Sequence, residues 1–472
     1  MRSPLALLIV LLAQLSFAQA PWTLEQCIAR AEEKHLDVLN AGLDAELADE
    51  NLDRTYWDLV PNLNAGGTHG YNFGRVIDRY TNTFATDRVR TNNFYLSTQV
   101  DLFRGLSKQN SIKQAGIDSE AAMKGLEAAR NDVRLAVVQA FLDVLGIRER
   151  IVAAEKQAAN TREQIVLTTA LVDGGRLARA ELLALEAQLA QEEYNVTDWT
   201  NQRDQRMLAL GRALQLDMAE MRQFDIVAPN LQPGAILEPA RSMEQVLENV
   251  LANNPSYAQM ELQVESAERA IDISRSGSMP SLSLNGTVST GYSGRDLRQV
   301  GDPIIGAPIP IGATGSGEVV FSPNINYLTE VTPFSDQLDQ NFNQSVGLTL
   351  NVPLFNNMGN SYAVQRSRVE FEKSRNRLLS LRNTMQQNVM DALVQQRSAY
   401  RQYLAASKAL ESGELSMEYA QERFAQGVIT SLELNTAKNN VNRSQADLIN
   451  AKYQYLMASK YLDILQGLPV TL

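Results

Sequence analysis

The stretch Phe342–Leu354, FNQSVGLTLNVPL, decides the fold. Phe342, Val346, Leu348, Leu350, Val352 and Leu354 fall on one side of an extended chain, and Asn343, Ser345, Gly347, Thr349 and Asn351 on the other. Strict alternation of this kind marks a strand with one oily and one wet face. It stops at Pro353, and from about Asn356 the sequence turns polar and helical for about seventy residues. An earlier stretch does the same. Phe94, Leu96, Val100 and Leu102 alternate with Tyr95, Ser97, Gln99 and Asp101, and a long helical run follows Phe103. Twice, then, a strand long enough to cross a bilayer runs into a helix far too polar to do so.

Working outward, the chain is written twice. Thr23-Leu24-Glu25-Gln26 recurs as Ser242-Met243-Glu244-Gln245, and Val60-Pro61-Asn62-Leu63-Asn64 as Met279-Pro280-Ser281-Leu282-Ser283, both at a spacing of 219 residues. Later matches, Val100 to Phe103 with Val352 to Phe355 and Gly175 with Gly427, sit at a spacing of 252. The extra 33 residues lie between the strands of the second half, in the Gly/Pro-rich stretch at about 301–333, which reads as a long exposed loop. The expected organisation is a leader at 1–20, a first repeat at 21–235 and a second at 236–472.

Each repeat has one plan. A short helix opens at a capping-box spacing, Thr23 with Gln26 and Ser242 with Gln245. After a break, a second helix runs towards Pro61 or Pro280. Two alternating strands follow, at about Leu63–Phe73 and Phe94–Phe103, and at about Leu282–Tyr292 and Phe342–Leu354. A very long helix then reverses at Gly174-Gly175 or Gly427 and returns to near Leu216 or Leu465. Its seam of Val133, Val137, Ala140, Val144, Ile147 and Ile151 has coiled-coil spacing. About seventy residues at about 1.5 Å each gives a helix of roughly 100 Å, beyond any globular domain.

Composition bounds the role. A net charge of -11 with no basic patch argues against nucleic acid. Arg2, the apolar run Leu5–Leu12 and Ala18-Gln19-Ala20 read as a secretory signal. The single cysteine, Cys27, makes no internal disulfide and reads as a small buried apolar residue. With only His35 and His69 and no Cys/His cluster, a structural zinc site is not expected. No catalytic set or phosphate loop is visible, so neither enzyme activity nor a cofactor is expected. Gly312, Gly315 and Gly317 lie in a Pro-rich stretch without the strand and helix that a nucleotide loop requires.

The polar strand faces cannot meet lipid, and open sheet edges cannot sit in it, because each bare amide costs about several kcal/mol there. Four such strands fall short of the roughly eight in the smallest membrane barrels. Several chains must therefore share one barrel, and the count leaves two, three or more open. Aromatics near the strand ends (Tyr71, Phe73, Phe94, Phe103, Tyr292, Phe342 and Phe355) suit a membrane girdle or the core of a soluble β-sandwich.

The duplicated plan resembles the TolC-type outer-membrane efflux factors. The likeness rests on Leu24-Glu25-Gln26-Cys27-Ile28-Ala29, Pro61 and Pro280 with the leucine two residues on, Val352-Pro353-Leu354-Phe355, and the run from Phe424 to Leu434. The resemblance implies a mainly α fold with a membrane β-barrel portion, in homotrimers. Duplicated helical hairpins would form an α-barrel tunnel across the periplasm, and four strands per chain would enter a shared 12-stranded barrel in outer-membrane lipid. It implies partners: a periplasmic adaptor and an inner-membrane pump, for export of drugs, metals or proteins. It also implies a constriction at the helical tips. The family places acidic residues six and nine positions after the second tip glycine. Here these are Glu433, a match, and Thr436, a departure; the first half has Glu181 at the equivalent sixth position. Glu433 reads either as part of a cation-selective ring or as a solvated helix residue. Ile429 stands where a family prototype has a locking arginine, and Arg176 and Arg179 are the candidates to replace it or are plain exposed charges. Gly175 and Gly427 read as strain-relieving turns that would receive the adaptor. The rival reading is a structural envelope coiled coil with a soluble β-domain.

Overall fold

A computed structural model describes residues 21–85, 88–229 and 242–470. The proposed leader and the 235/236 repeat boundary lie outside the described residues. The repeat extends to the lengths of the elements. The first half has α1 (Leu24–Lys34), α2 (Leu36–Trp57), α3 (Ser107–Asp173) and α4 (Arg179–Ala213), of 11, 22, 67 and 35 residues. A short α5 (Met218–Gln223) follows. The second half has α6 (Met243–Asn253), α7 (Pro255–Ser276), α9 (Gly359–Ala425) and α10 (Ser431–Leu465), again of 11, 22, 67 and 35 residues. Between them stand strands β1 (Asn62–Asn72), β2 (Val76–Ile77), β3 (Phe84–Ala85) and β4 (Val89–Arg104) in the first half. The second half has β5 (Ser281–Ser293), β6 (Leu297–Ala313), β7 (Val319–Val331), a short α8 (Phe334–Gln340) and β8 (Asn343–Asn351). These elements pack as two compact units, one helical and one built on the strands.

In the helical unit the opening helix is capped as its sequence demands: Gln26 N–H donates to Thr23 Oγ1 at 3.3 Å, and Thr23 N–H to Gln26 Oε1 at 3.0 Å. Along α3, Val133, Val137, Val144, Ile147 and Ile151 are buried, but so are Val138, Phe141, Leu142 and Leu145. The seam is thus one of two adjoining stripes. The reason is that α3 meets several partners at once: Leu24, Cys27 and Ala31 of α1, Met207 and Leu210 of α4, and Leu456 and Ile464 of α10 share its core. Cys27 is 0% exposed, and burial, with Glu25 adding to it, pushes its thiol up to about 12.

In the strand unit, β1, β4, β5 and β8 form one antiparallel sheet in that order. Register sorts the two faces, with Thr98 and Gln344 the polar exceptions on the apolar one. On that face, Leu350, Leu282 and Phe103 line up, then Leu348, Leu284 and Val100, then Val346, Gly286, Thr98 and Leu63, then Gln344, Val288, Leu96 and Ala65. On the other stand Asn351, Ser281 and Arg104, then Thr349, Ser283 and Asp101, then Gly347, Asn285, Gln99 and Asn62, then Ser345, Thr287, Ser97 and Asn64. The apolar face is bare: Val346, Leu348 and Leu350 are 81%, 65% and 66% exposed. The edge strands β1 and β8 pair on one side only.

Two expectations need correction. The strand at Phe342–Leu354 is shorter, Asn343–Asn351. Phe342 N–H instead turns back to Asp339 O, and Pro353 has no amide to give a ladder. The larger correction concerns 301–333. It is no loop but a long two-stranded ribbon, β6 paired with β7. Prolines and glycines hid it. The register shifts fall at Val300/Ile304, Gly306/Ile309 and Pro310/Gly312, beside Pro303, Pro308 and Pro310, so bulges absorb residues that a continuous ladder rejects.

Candidate functional site at the helical tips

The tips belong to the helical unit, and both turn by the same device. After α3, Gly175 takes φ +69°; its N–H donates to Val172 O at 2.9 Å, and Arg176 N–H to Leu171 O at 2.8 Å. After α9, Gly427 takes φ +75°; its N–H donates to Phe424 O at 2.9 Å, and Val428 N–H to Arg423 O at 2.9 Å. This is the Schellman closure, whose left-handed residue is glycine because a Cβ there strains the backbone. Neither glycine has an atom within 4 Å of where a Cβ would stand, so both turns face open space.

The return helices start differently. Thr430 and Glu433 form a capping box on α10: Thr430 N–H donates to Glu433 Oε2 at 2.9 Å, and Glu433 N–H to Thr430 Oγ1 at 3.3 Å. A carboxylate in the first turn also suits the helix dipole. Glu433 stays exposed, so the acid is fixed in place without being hidden. Helix α4 has no side-chain cap at Ala178; Glu181 instead accepts a hydrogen bond from Ser431 Oγ, 250 residues away. That bond joins the two tips. Thr436 donates to Leu432 O at 2.8 Å, bonding back into its own helix. Arg176 and Arg179 are exposed and form no ion pair among the described residues. The structure thus brings Glu181 to the second tip and leaves Gly175, Gly427, Arg176, Arg179 and Glu433 facing outward. Val428 and Leu432, 60% and 74% exposed, add an apolar border beside Gly427.

About two turns from Thr430 lies a cluster that sequence reasoning missed. Lys438 of α10 is buried against Glu192 of α4 at 3.4 Å and donates to Thr161 of α3. Glu192 also accepts from Thr161 Oγ1 at 2.5 Å, and from Gln157 Nε2 and Gln188 Nε2, each at 2.8 Å. Burial pulls the Lys438 ammonium below the ordinary lysine value, against the opposing pull of Glu192. The one available signal was position: Lys438 comes one turn after buried Leu434, on the same face. Glu192 and Thr161 look like ordinary helix residues until the fold brings them together.

A four-stranded sheet with one bare apolar face, joined in sequence to 67-residue helices, defines a subunit of an outer-membrane channel. The chain belongs to the outer membrane efflux protein family, whose pattern matches residues 27–214 and again 246–468. It is similar to the outer membrane efflux protein BepC of Brucella suis, 20% identical over 442 residues that cover 93% of this chain and 83% of BepC. It is also similar to the alkaline protease secretion protein AprF of Pseudomonas aeruginosa, 22% identical over 421 residues covering 85% and 75% of the two chains. Among solved structures, the CmeC outer membrane channel of Campylobacter jejuni shares the fold, with a TM-score of 0.73 at 16% identity, covering 94% of this chain and 85% of that one. The protein is accordingly a TolC-type outer-membrane channel for efflux.

Proposed function

We propose that three copies close one barrel and one tunnel, and that the assembly is a passive duct for small molecules, driven by an inner-membrane pump through a periplasmic adaptor. The sheet topology carries this reading. Edge strands β1 and β8 run in opposite directions, so β8 of one copy can pair antiparallel with β1 of the next, and an even strand number per chain keeps the alternation around the ring. In that ring the apolar face meets lipid, and the polar face lines water. At the tips, three copies of Glu433 near the axis would form a cation-favouring constriction, and the Gly175 and Gly427 turns would receive the adaptor. Arg176 and Arg179 would then stand free to meet acidic groups of that adaptor.

The test is export in cells. Gly427→Trp should abolish export while the trimer still assembles; wild-type export by this variant would remove the turn from docking. A second reading, a duct for protein secretion, draws on the similarity to AprF. Export of a protein cargo rather than a dye or metal by the same assay would favour it.

A further inference from the structure

Between β1 and β4, the turn at Asp78–Thr83 folds back over the polar face of the sheet. It is built on Asp78, whose Oδ1 accepts from the N–H groups of Tyr80 and Thr81, each at 3.0 Å, while Asp78 N–H donates to Thr83 O at 2.9 Å. From this turn Tyr80 reaches down and donates its hydroxyl hydrogen to Asn93 Oδ1. Asn93 pairs with Gly291, and both lie on the polar face of the sheet. A Cβ on Gly291 would collide with the Tyr80 hydroxyl oxygen and with Asn92 O, so the glycine lets both the phenol end and the neighbouring strand approach closely.

The loop is bolted down as well as folded in. Ser293 Oγ donates to the second carboxylate oxygen of Asp78, and Asp78 and Ser293 are 2% and 0% exposed. Gln337 of α8, itself fully buried, accepts from Ser293 N–H at 2.8 Å and donates to Ser293 O at 3.0 Å and Thr332 O at 2.8 Å. Asn341 donates to Gly291 O at 2.9 Å. A buried and fully bonded polar cluster of this kind holds one arrangement, because breaking any member strands another in low dielectric.

We propose that Tyr80 and the Asp78 turn form a fixed outer constriction of the channel, setting an upper size for what passes between the barrel and the outside. The proposal rests on the reading that three copies close a barrel around the polar face. The β1–β4 connection joins the strand ends farthest in sequence from α2 and α3, and in the proposed barrel it borders the outer mouth. Three copies of one inward-folded phenol narrow that mouth, independently of whether the tips are open.

The experiment measures access from outside the cell. Gln99→Cys places a thiol on the polar face, further along β4 from the loop than Asn93. The natural Cys27 is buried and does not compete. Intact cells are treated with a small methanethiosulfonate or with a maleimide carrying a long polyethylene glycol, and the oligomer is sized by native electrophoresis. In Gln99→Cys alone, the small reagent should label and the bulky one should be excluded. Adding Tyr80→Ala should admit the bulky reagent. Adding Asp78→Ala should do the same by releasing the turn that carries the ring. Bulky labelling of Gln99→Cys with the loop intact, in a protein that runs as a trimer, overturns the constriction alone. Exclusion that persists in both loop variants overturns it too. A protein that runs as one copy overturns the shared barrel, and the constriction with it.

Discussion

The two compact units treat their apolar residues in opposite ways. In the helical unit Val137, Val138, Phe141 and Leu210 are wholly buried within the chain. In the strand unit Val346, Leu348 and Leu350 stand bare on one face of the sheet, and β1 and β8 each leave one edge unpaired. The first unit builds a core from its own sequence, while Leu43, Leu47, Val152, Val166 and Leu167 stay exposed along its helices. The second is satisfied only by what surrounds it, lipid on one face, water on the other and further copies at the edges. The difference teaches what each unit needs from assembly: the helices hold a core before other copies arrive, and the strands do not.

The largest test of this contrast lies inside the helical unit. Lys438→Met removes one member of a buried ion pair and should cost about 3–5 kcal/mol of stability by stranding Glu192; Lys438→Met with Glu192→Leu should recover most of it. Thermal unfolding in detergent measures both. The sign of the pH effect follows from the depressed ammonium. The folded state binds fewer protons than the unfolded one between the lowered and the ordinary lysine values, so this site's contribution to stability should rise with pH across that alkaline window.

A smaller effect is expected on the bare face. Leu348→Lys puts a charge into lipid and should cost about 2–4 kcal/mol near the bilayer centre, whereas Thr349→Lys on the opposite face should cost little. Membrane-fraction yield of folded barrel reads the difference, and equal behaviour of the two variants would erase the distinction between faces. The smallest effect is electrical. The rows of the polar face from Asn62 to Tyr95 carry amides, hydroxyls and glycines without charge; its charges, Asp101 and Arg104, sit at one end of β4. Glu433→Gln should lower cation selectivity in single-channel recordings while leaving stability close to unchanged, because a glutamine still accepts from Thr430. Unchanged selectivity would leave Glu433 as a cap only.

Much of this architecture is legible in the amino-acid sequence. Alternation at Leu348-Thr349-Leu350 fixes which face is apolar whatever the strand pairs with, and glycine at 175 and 427 marks turns by backbone geometry alone. The β6–β7 ribbon is not legible, because prolines that would break a central strand are tolerated in a bulged two-stranded one. Ser431 with Glu181, and Lys438 with Glu192 and Thr161, are pairings between helices whose relative register no single helix records. Gly291 carries a partial signal, since a glycine inside a strand marks close approach, but nothing in the sequence names Tyr80 as the group that approaches.

The central claim is that one chain brings too few strands to close a barrel. Native mass spectrometry of the purified protein released from detergent tests it most directly. The account predicts a single species of three copies that falls apart or precipitates when detergent is withdrawn. A stable one-copy species in plain buffer, silent in planar bilayers, would contradict it.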